Sequence, residues 1–204
     1  MFATDIGPFS AEINYRYNKG SLKYEQRDPY ITHYYKHRMY DYYAQLTYPF
    51  NLPSSRVYPL IRIGYRDWFR AMGAENIKTH YPEYYSNYYW LVGFGWTKPI
   101  GYKFLFDVKF MFGRTFNARI TTPPNNVVIL PLLKLGDSNI YGIQTKLYYN
   151  LTTHILLNTY VQYERFNYGK TKTYSIPGTS YIGFIEPNSE THQLILGFGV
   201  TYEW

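Results

Sequence analysis

The residues best equipped for chemistry are five histidines and a set of charged side chains that recur at alternate positions. The histidines are His33, His37, His80, His154 and His192. His33 and His37 stand four apart. On a helix that spacing brings two rings to one metal ion, but on an extended segment it does not. No paired aspartates and no His-Asp constellation accompany them. Solvated histidines are therefore expected, with no metal, no cofactor and no catalytic residue. The charged set is Glu12, Arg16, Asp41, Arg62, Arg66, Asp107, Lys109, Lys146 and Glu164. A mixed-sign set of this kind can line an ion path or pair off into a hydrogen-bonded plug. Buried charges need partners, and both signs are present to supply them.

What positions these residues is a repeated alternation. Eight segments read as strands, beginning near residues 9, 40, 57, 88, 104, 141, 155 and 193. In each, one face is apolar and the other polar, the signature of a strand between two environments. In the second segment Tyr40, Tyr42, Ala44, Leu46, Tyr48 and Phe50 alternate with Asp41, Tyr43, Gln45 and Thr47. The last carries Leu194, Leu196, Phe198, Val200, Tyr202 and Trp204 on one face. All nine charged residues fall on the polar faces. So do Gly64, Gly93, Gly95, Gly113, Gly142, Gly197 and Gly199, which leave room there for Arg and Tyr and permit strong curvature.

Composition points the same way. The chain has 204 residues, one domain by default, spanning 1–204. Tyr, Phe and Trp make up 22% of it, and it has no Cys. The mean hydropathy of −0.40 would ordinarily read as soluble. A transmembrane barrel, however, hides half of each strand from lipid, so its average stays low. Each run is about the 9–11 residues a tilted strand needs to cross a bilayer. Outward aromatics gather near both ends of the runs, as at two water–lipid interfaces. The formal charge of +7 comes from scattered residues on no nucleic-acid-binding module, so no nucleic-acid partner is expected. The N-terminus carries no signal peptide, which for a secreted barrel implies a mature or recombinant form.

Connections alternate short (51–56, 97–101, 150–154) and long (18–39, 68–87, 114–138, 165–190). The long ones are basic on balance. Lys19, Lys23, Arg27, Lys36, Arg38, Arg114, Arg119 and Lys134 are expected there as loop residues that bind lipopolysaccharide phosphates or a partner. The tyrosine-rich stretches 30–35 and 81–89 suit an interface.

These features together resemble the small eight-stranded bacterial outer-membrane barrels, over nearly the whole chain. Trp204, with Tyr202 two before it, resembles the terminal signal read by the barrel assembly machinery. The resemblance implies an all-β, closed, antiparallel, up-and-down transmembrane barrel of about eight strands in a bacterial outer membrane. The run from Val128 to Gly136 looks like part of the outer-membrane lipid A palmitoyltransferase, as more faintly do Gly64-Tyr65-Arg66-Asp67-Trp68 and Gly93-Phe94-Gly95-Trp96. That family has Ser where this chain has Trp68, and a His where it has Tyr15-Arg16-Tyr17, so the activity does not carry over. No His-x-Ser-Asn run resembles the lipid A deacylases.

The expected function is a non-enzymatic surface, scaffold or binding protein with a side-chain-filled lumen. Its partners would be outer-membrane lipid, lipopolysaccharide and a protein at the extracellular loops. A narrow channel or lateral route for small hydrophobic molecules near Pro131 is the alternative, and a lipid A-modifying enzyme the second alternative. For the fold, the alternatives are ten strands, with pairing from 127–135 or 171–185, and a soluble lipocalin-like barrel with its apolar face inward.

Overall fold

The computed structural model describes residues 2–6, 8–27, 30–72, 81–121, 132–173 and 189–202. In chain order the elements are β1 (Phe2–Ile6), β2 (Phe9–Arg27), β3 (Tyr30–Thr47), β4 (Phe50–Leu52), β5 (Ser55–Met72) and β6 (Tyr81–Ile100). Then follow β7 (Phe104–Thr121), β8 (Leu133–Lys134), β9 (Asn139–Asn150), β10 (Ile155–Tyr168) and β11 (Ser189–Tyr202). They form one antiparallel sheet in the order β1-β2-β3-β5-β6-β7-β9-β10-β11, with β4 on β5 and β8 on β7. The eight long strands are the eight read from the alternation, each paired with its neighbour in sequence.

The sheet curls strongly. Arg16 on β2 donates from Nη1 to Gln162 Oε1 on β10 at 2.7 Å, joining strands near opposite ends of the sheet order. Among the described residues no ladder joins β2 to β11. The described sheet is therefore open at that seam. Part of the β2 edge is instead covered by β1, which pairs Phe2–Ile6 with Phe9–Ile13. No alternation of charge and apolar residues marks so short a strand, and the sequence did not disclose it.

The polar faces turn inward. Asp41, Arg62, Arg66, Gln162 and Glu164 are all buried, whereas Ile63, Phe94 and Phe198 on the other face are 60%, 60% and 88% exposed. A soluble barrel with its apolar face inside would show the reverse, and that alternative is overturned. Outward aromatics meet in directly opposed cross-strand pairs, Phe94 stacked on Phe110 at 5.1 Å and Phe112 tilted against Tyr141 at 5.3 Å. Such pairs each contribute roughly 0.2–1 kcal/mol to a sheet.

Two expectations need correction. The segments taken as long loops are largely strand: β2 and β3 run on to Arg27 and Tyr30, β5 and β6 to Met72 and Tyr81, and β7 to Thr121. The alternation continues through them, but on β2 and β3 with Lys, Arg and Ser on the outer face in place of apolar residues. A criterion built on apolar outer residues therefore stops short. The tyrosine-rich stretches 30–35 and 81–89 are likewise strand, in β3 and β6. The short turns stand where expected but are tighter: β4 and β5 pair Asn51 with Arg56 and Leu52 with Ser55, and β6 runs on to Ile100 before a turn at Gly101, whose φ of 66° favours glycine. Residues 127–131 lie outside the described residues; within 132–135 the strand pairing is that of the two residues of β8. Residues 174–185, most of the other candidate hairpin, lie outside the described residues.

Candidate functional site: a filled interior and a cationic rim

Alternate residues of β2, β3, β5, β6, β7, β9 and β10 reach the interior. Toward the short-turn end, called lower here, Asp107 accepts from the Tyr58 hydroxyl and from Thr97 Oγ1, the latter at 2.8 Å. Arg62 donates from Nη2 to Gln45 Oε1 at 2.7 Å and stacks over the Tyr43 ring at 3.9 Å. Gln45 in turn donates to Glu12 at 3.4 Å. Lys109 lies over the Tyr58 ring at 5.8 Å and Lys146 over that of Tyr160 at 5.9 Å.

At mid-height four charges from four strands meet. Asp41 pairs with Arg16 and, at 3.5 Å, with Arg66. Glu164 pairs with Arg66 at 2.5 Å and with Arg16 at 3.6 Å. Two anions and two cations neutralise each other, and Tyr89 adds a hydroxyl donor to Asp41 at 2.7 Å. Above them sits an aromatic cap. Trp68 lies against Tyr85 at 5.1 Å with the rings tilted, stacks on Tyr168 at 6.0 Å and meets Phe166 edge-on at 5.8 Å. The Tyr168 hydroxyl donates to Asn87 at 2.9 Å. Leu133 and Leu135 pack into the same buried cluster, so this part of the 127–135 stretch folds inward over the cap.

All nine inward charges predicted from the sequence thus lie in the interior. The sequence reading missed the upper pair Arg70–Glu83, joined at 2.8 Å from Arg70 Nε, and the aromatic cap. The signal was present. Trp68 and Arg70 continue the polar phase of Arg62 and Arg66, and Tyr85 that of Tyr89.

The eight basic residues assigned to loops are on strands instead: Lys19, Lys23 and Arg27 on β2, Lys36 and Arg38 on β3, Arg114 and Arg119 on β7, and Lys134 on β8. Lys19, Lys23, Lys36, Arg38, Arg114 and Lys134 are exposed. Lys19 stands directly opposite Arg38, and Arg119 opposite Lys134. Arg114 and Arg119 differ in parity yet share the outer face, because the register between β6 and β7 shifts at Ser86/Tyr88 and Asn117 takes a φ of 53°.

The histidines separate as well. His33 lies on β3, His80 falls outside the described residues and His154 is in a turn. His37 is buried, and that burial pushes its ring below the usual histidine range. His192 shares a 2.6 Å hydrogen bond with the Tyr163 hydroxyl and another of 2.6 Å with Glu190, which also accepts from Arg165 at 2.9 Å. Those bonds, Arg165 first, hold Glu190 below the usual carboxylate range. Pro131 falls outside the described residues.

Comparison with protein-family models and with curated protein sequences gave no match. The chemistry of the molecule itself is what remains: an inner face with a charge-paired centre of Arg16, Asp41, Arg66 and Glu164, and exposed cations on the outer face beyond its apolar residues.

Proposed function

We propose that this chain is a small bacterial outer-membrane β-barrel that spans the bilayer with its lumen filled. On this reading it acts without catalysis, as a surface, scaffold or binding protein. Its working surface is the upper rim of the strands, where the basic residues gather, more than free loops.

The supporting observation is the inverted distribution of exposure. Large apolar side chains face outward on every long strand, while Glu12, Arg16, Asp41, Arg62, Arg66, Asp107, Lys109, Lys146 and Glu164 lie on the inner face. In water that face would cost about 25 cal/mol for each Å² of apolar surface left uncovered. Hydrocarbon removes the cost, and an antiparallel sheet wrapped on itself satisfies the backbone there. Barrel closure belongs to the same proposal: the two ends of the sheet meet along the β2–β11 seam, with β1 against the lower part of β2.

The rim cations sit one step above an outward tyrosine band that includes Tyr15, Tyr17, Tyr40 and Tyr42. That is the level at which lipopolysaccharide phosphates would lie. The interior argues against the channel alternative, since eight strands leave only enough room for side chains to fill.

The experiment is expression with a signal peptide, extraction in mild detergent, and electrophoresis with and without boiling. A folded barrel migrates differently from the boiled chain. A chain soluble without detergent would refute the membrane assignment. Mass spectrometry of co-purifying molecules then separates the roles: a stoichiometric protein supports a scaffold, and an altered lipid A mass pattern would restore the enzyme.

A further inference from the structure

The upper part of the β2–β11 seam holds a cavity of about 330 Å³. Its lining includes Asn18, Lys19 and Ser21 from β2, His37 from β3, and Gln193 and Leu194 from β11. Three buried polar atoms of these side chains have no hydrogen-bond partner among the described residues: Asn18 Nδ2, His37 Nδ1 and Gln193 Oε1. His37 is 7% exposed and Gln193 8%. Water is largely kept from them, yet no described residue satisfies them. Native proteins rarely leave such groups without a partner.

The surroundings indicate the missing partner. Lys19 and Arg38 are directly opposed on the outer face, and Lys36 is opposed to Ser21. None of the three cations has an ion-pair partner among the described residues. Like charges placed opposite each other in a ladder repel, and an anion between them relieves the repulsion. Glu190, the carboxylate that β11 carries near this level, is already engaged by Arg165 and His192. From Leu194 downward, β11 presents Leu196, Phe198 and Val200, an exposed apolar track on its outer face.

We propose that this seam binds the phosphate of a membrane lipid, with the headgroup in the cavity and an acyl chain along the outer face of β11. Asn18 Nδ2 and the His37 ring donate to phosphate oxygens, and Lys19 supplies charge from the mouth of the cavity. Gln193 Oε1 accepts from a headgroup hydroxyl. The site takes a phosphate with a hydroxyl-bearing headgroup, as in phosphatidylglycerol or lipid A, and rejects a choline headgroup, whose cation would meet Lys19, Lys36 and Arg38. An open strand edge can also take an extended peptide, but the donors and the unpaired cations favour phosphate. The inference rests on the membrane reading above.

The test uses the full chain in mild detergent, with equal amounts of dioleoyl phosphatidylglycerol and dioleoyl phosphatidylcholine, read by native mass spectrometry. One phosphatidylglycerol should be retained, about tenfold over phosphatidylcholine, the scale of one charge-assisted contact. Lys19→Ala and Asn18→Leu should each erase most of that preference, while Lys98→Ala, at the short-turn end of β6, should leave it intact. Equal retention of the two lipids, or an equal loss in Lys98→Ala, would overturn the proposal. Tighter retention of lipid A would place the ligand in the outer leaflet, and retention of both anionic lipids would support the shared phosphate.

Because the chain has no Cys, an Asn18→Cys/Gln193→Cys variant offers a second readout. Phosphatidylglycerol in the bilayer should slow its disulfide formation. Equally fast, complete oxidation in phosphatidylcholine and in phosphatidylglycerol would mean the strands close directly on each other and no site exists. A chain that never enters detergent or lipid fails the membrane reading itself. A chain that inserts without discriminating between lipids fails this inference alone.

Discussion

Tyr89 lies across Gly64, its direct partner in the β5–β6 ladder, and its ring fills the space a side chain at Gly64 would need. From there its hydroxyl reaches Asp41 on β3 at 2.7 Å. Gly95 with Tyr58, and Gly197 with Tyr160, repeat the arrangement. Glycine on the polar face is thus the seat on which an inward tyrosine lies flat.

Gly64→Ala should therefore displace Tyr89 and break its bond to Asp41, at a cost of about 1–3 kcal/mol for overpacking. Tyr89→Phe keeps the ring and loses only the hydroxyl, which should cost about 1.5–3 kcal/mol because the acceptor is charged. Urea unfolding of the folded protein in detergent micelles measures both. If the two losses are independent, with the double variant fully additive, the coupling argued here does not exist.

Asp41 and Glu164 each serve Arg16 and Arg66. Removing one carboxylate leaves two buried guanidinium groups sharing a single anion. Asp41→Asn and Glu164→Gln should each cost about 3–5 kcal/mol. The paired change of Asp41→Leu with Arg66→Met should be milder than Asp41→Leu alone. Equilibrium unfolding of the four variants decides it.

On the outer face, Phe94→Arg separates two environments. In a bilayer an arginine near mid-span costs about 2–4 kcal/mol. On a water-facing sheet the same change would be close to neutral. Folding yield into vesicles, compared with that of Gln162→Arg in the interior, gives the answer.

His37 predicts a pH dependence. Burial depresses its folded pKa below the ordinary 6.5, so the unfolded chain takes up its proton first as pH falls. Stability should hold above pH 6.5 and decline as pH drops toward the depressed folded value. His37→Phe should flatten that part of the profile, measured as unfolding free energy against pH. An unchanged slope would mean that the ring is hydrated in the folded protein.

The eight long strands, their neighbour-to-neighbour pairing and the inward phase of nine charged residues were legible in the sequence alone. The reason is that strand periodicity is two, and a one-residue slip would put Arg62 or Asp41 on the apolar side. The upper extensions of β2 and β3 were not legible as strand, because their outer face changes from Tyr to Lys and Arg while the backbone pairing continues. The outward placement of Arg119 was also hidden, since it depends on the register shift opposite Ser86.

Which charges meet belongs to the tertiary structure alone. Arg16, Asp41, Arg66 and Glu164 come from four strands, and only the curl of the sheet sets β2 against β10. The seam followed from the same curl. Alternation places Asn18 and Gln193 on the inner face, but their standing on opposite sides of one cavity depends on where the two ends of the sheet come to rest.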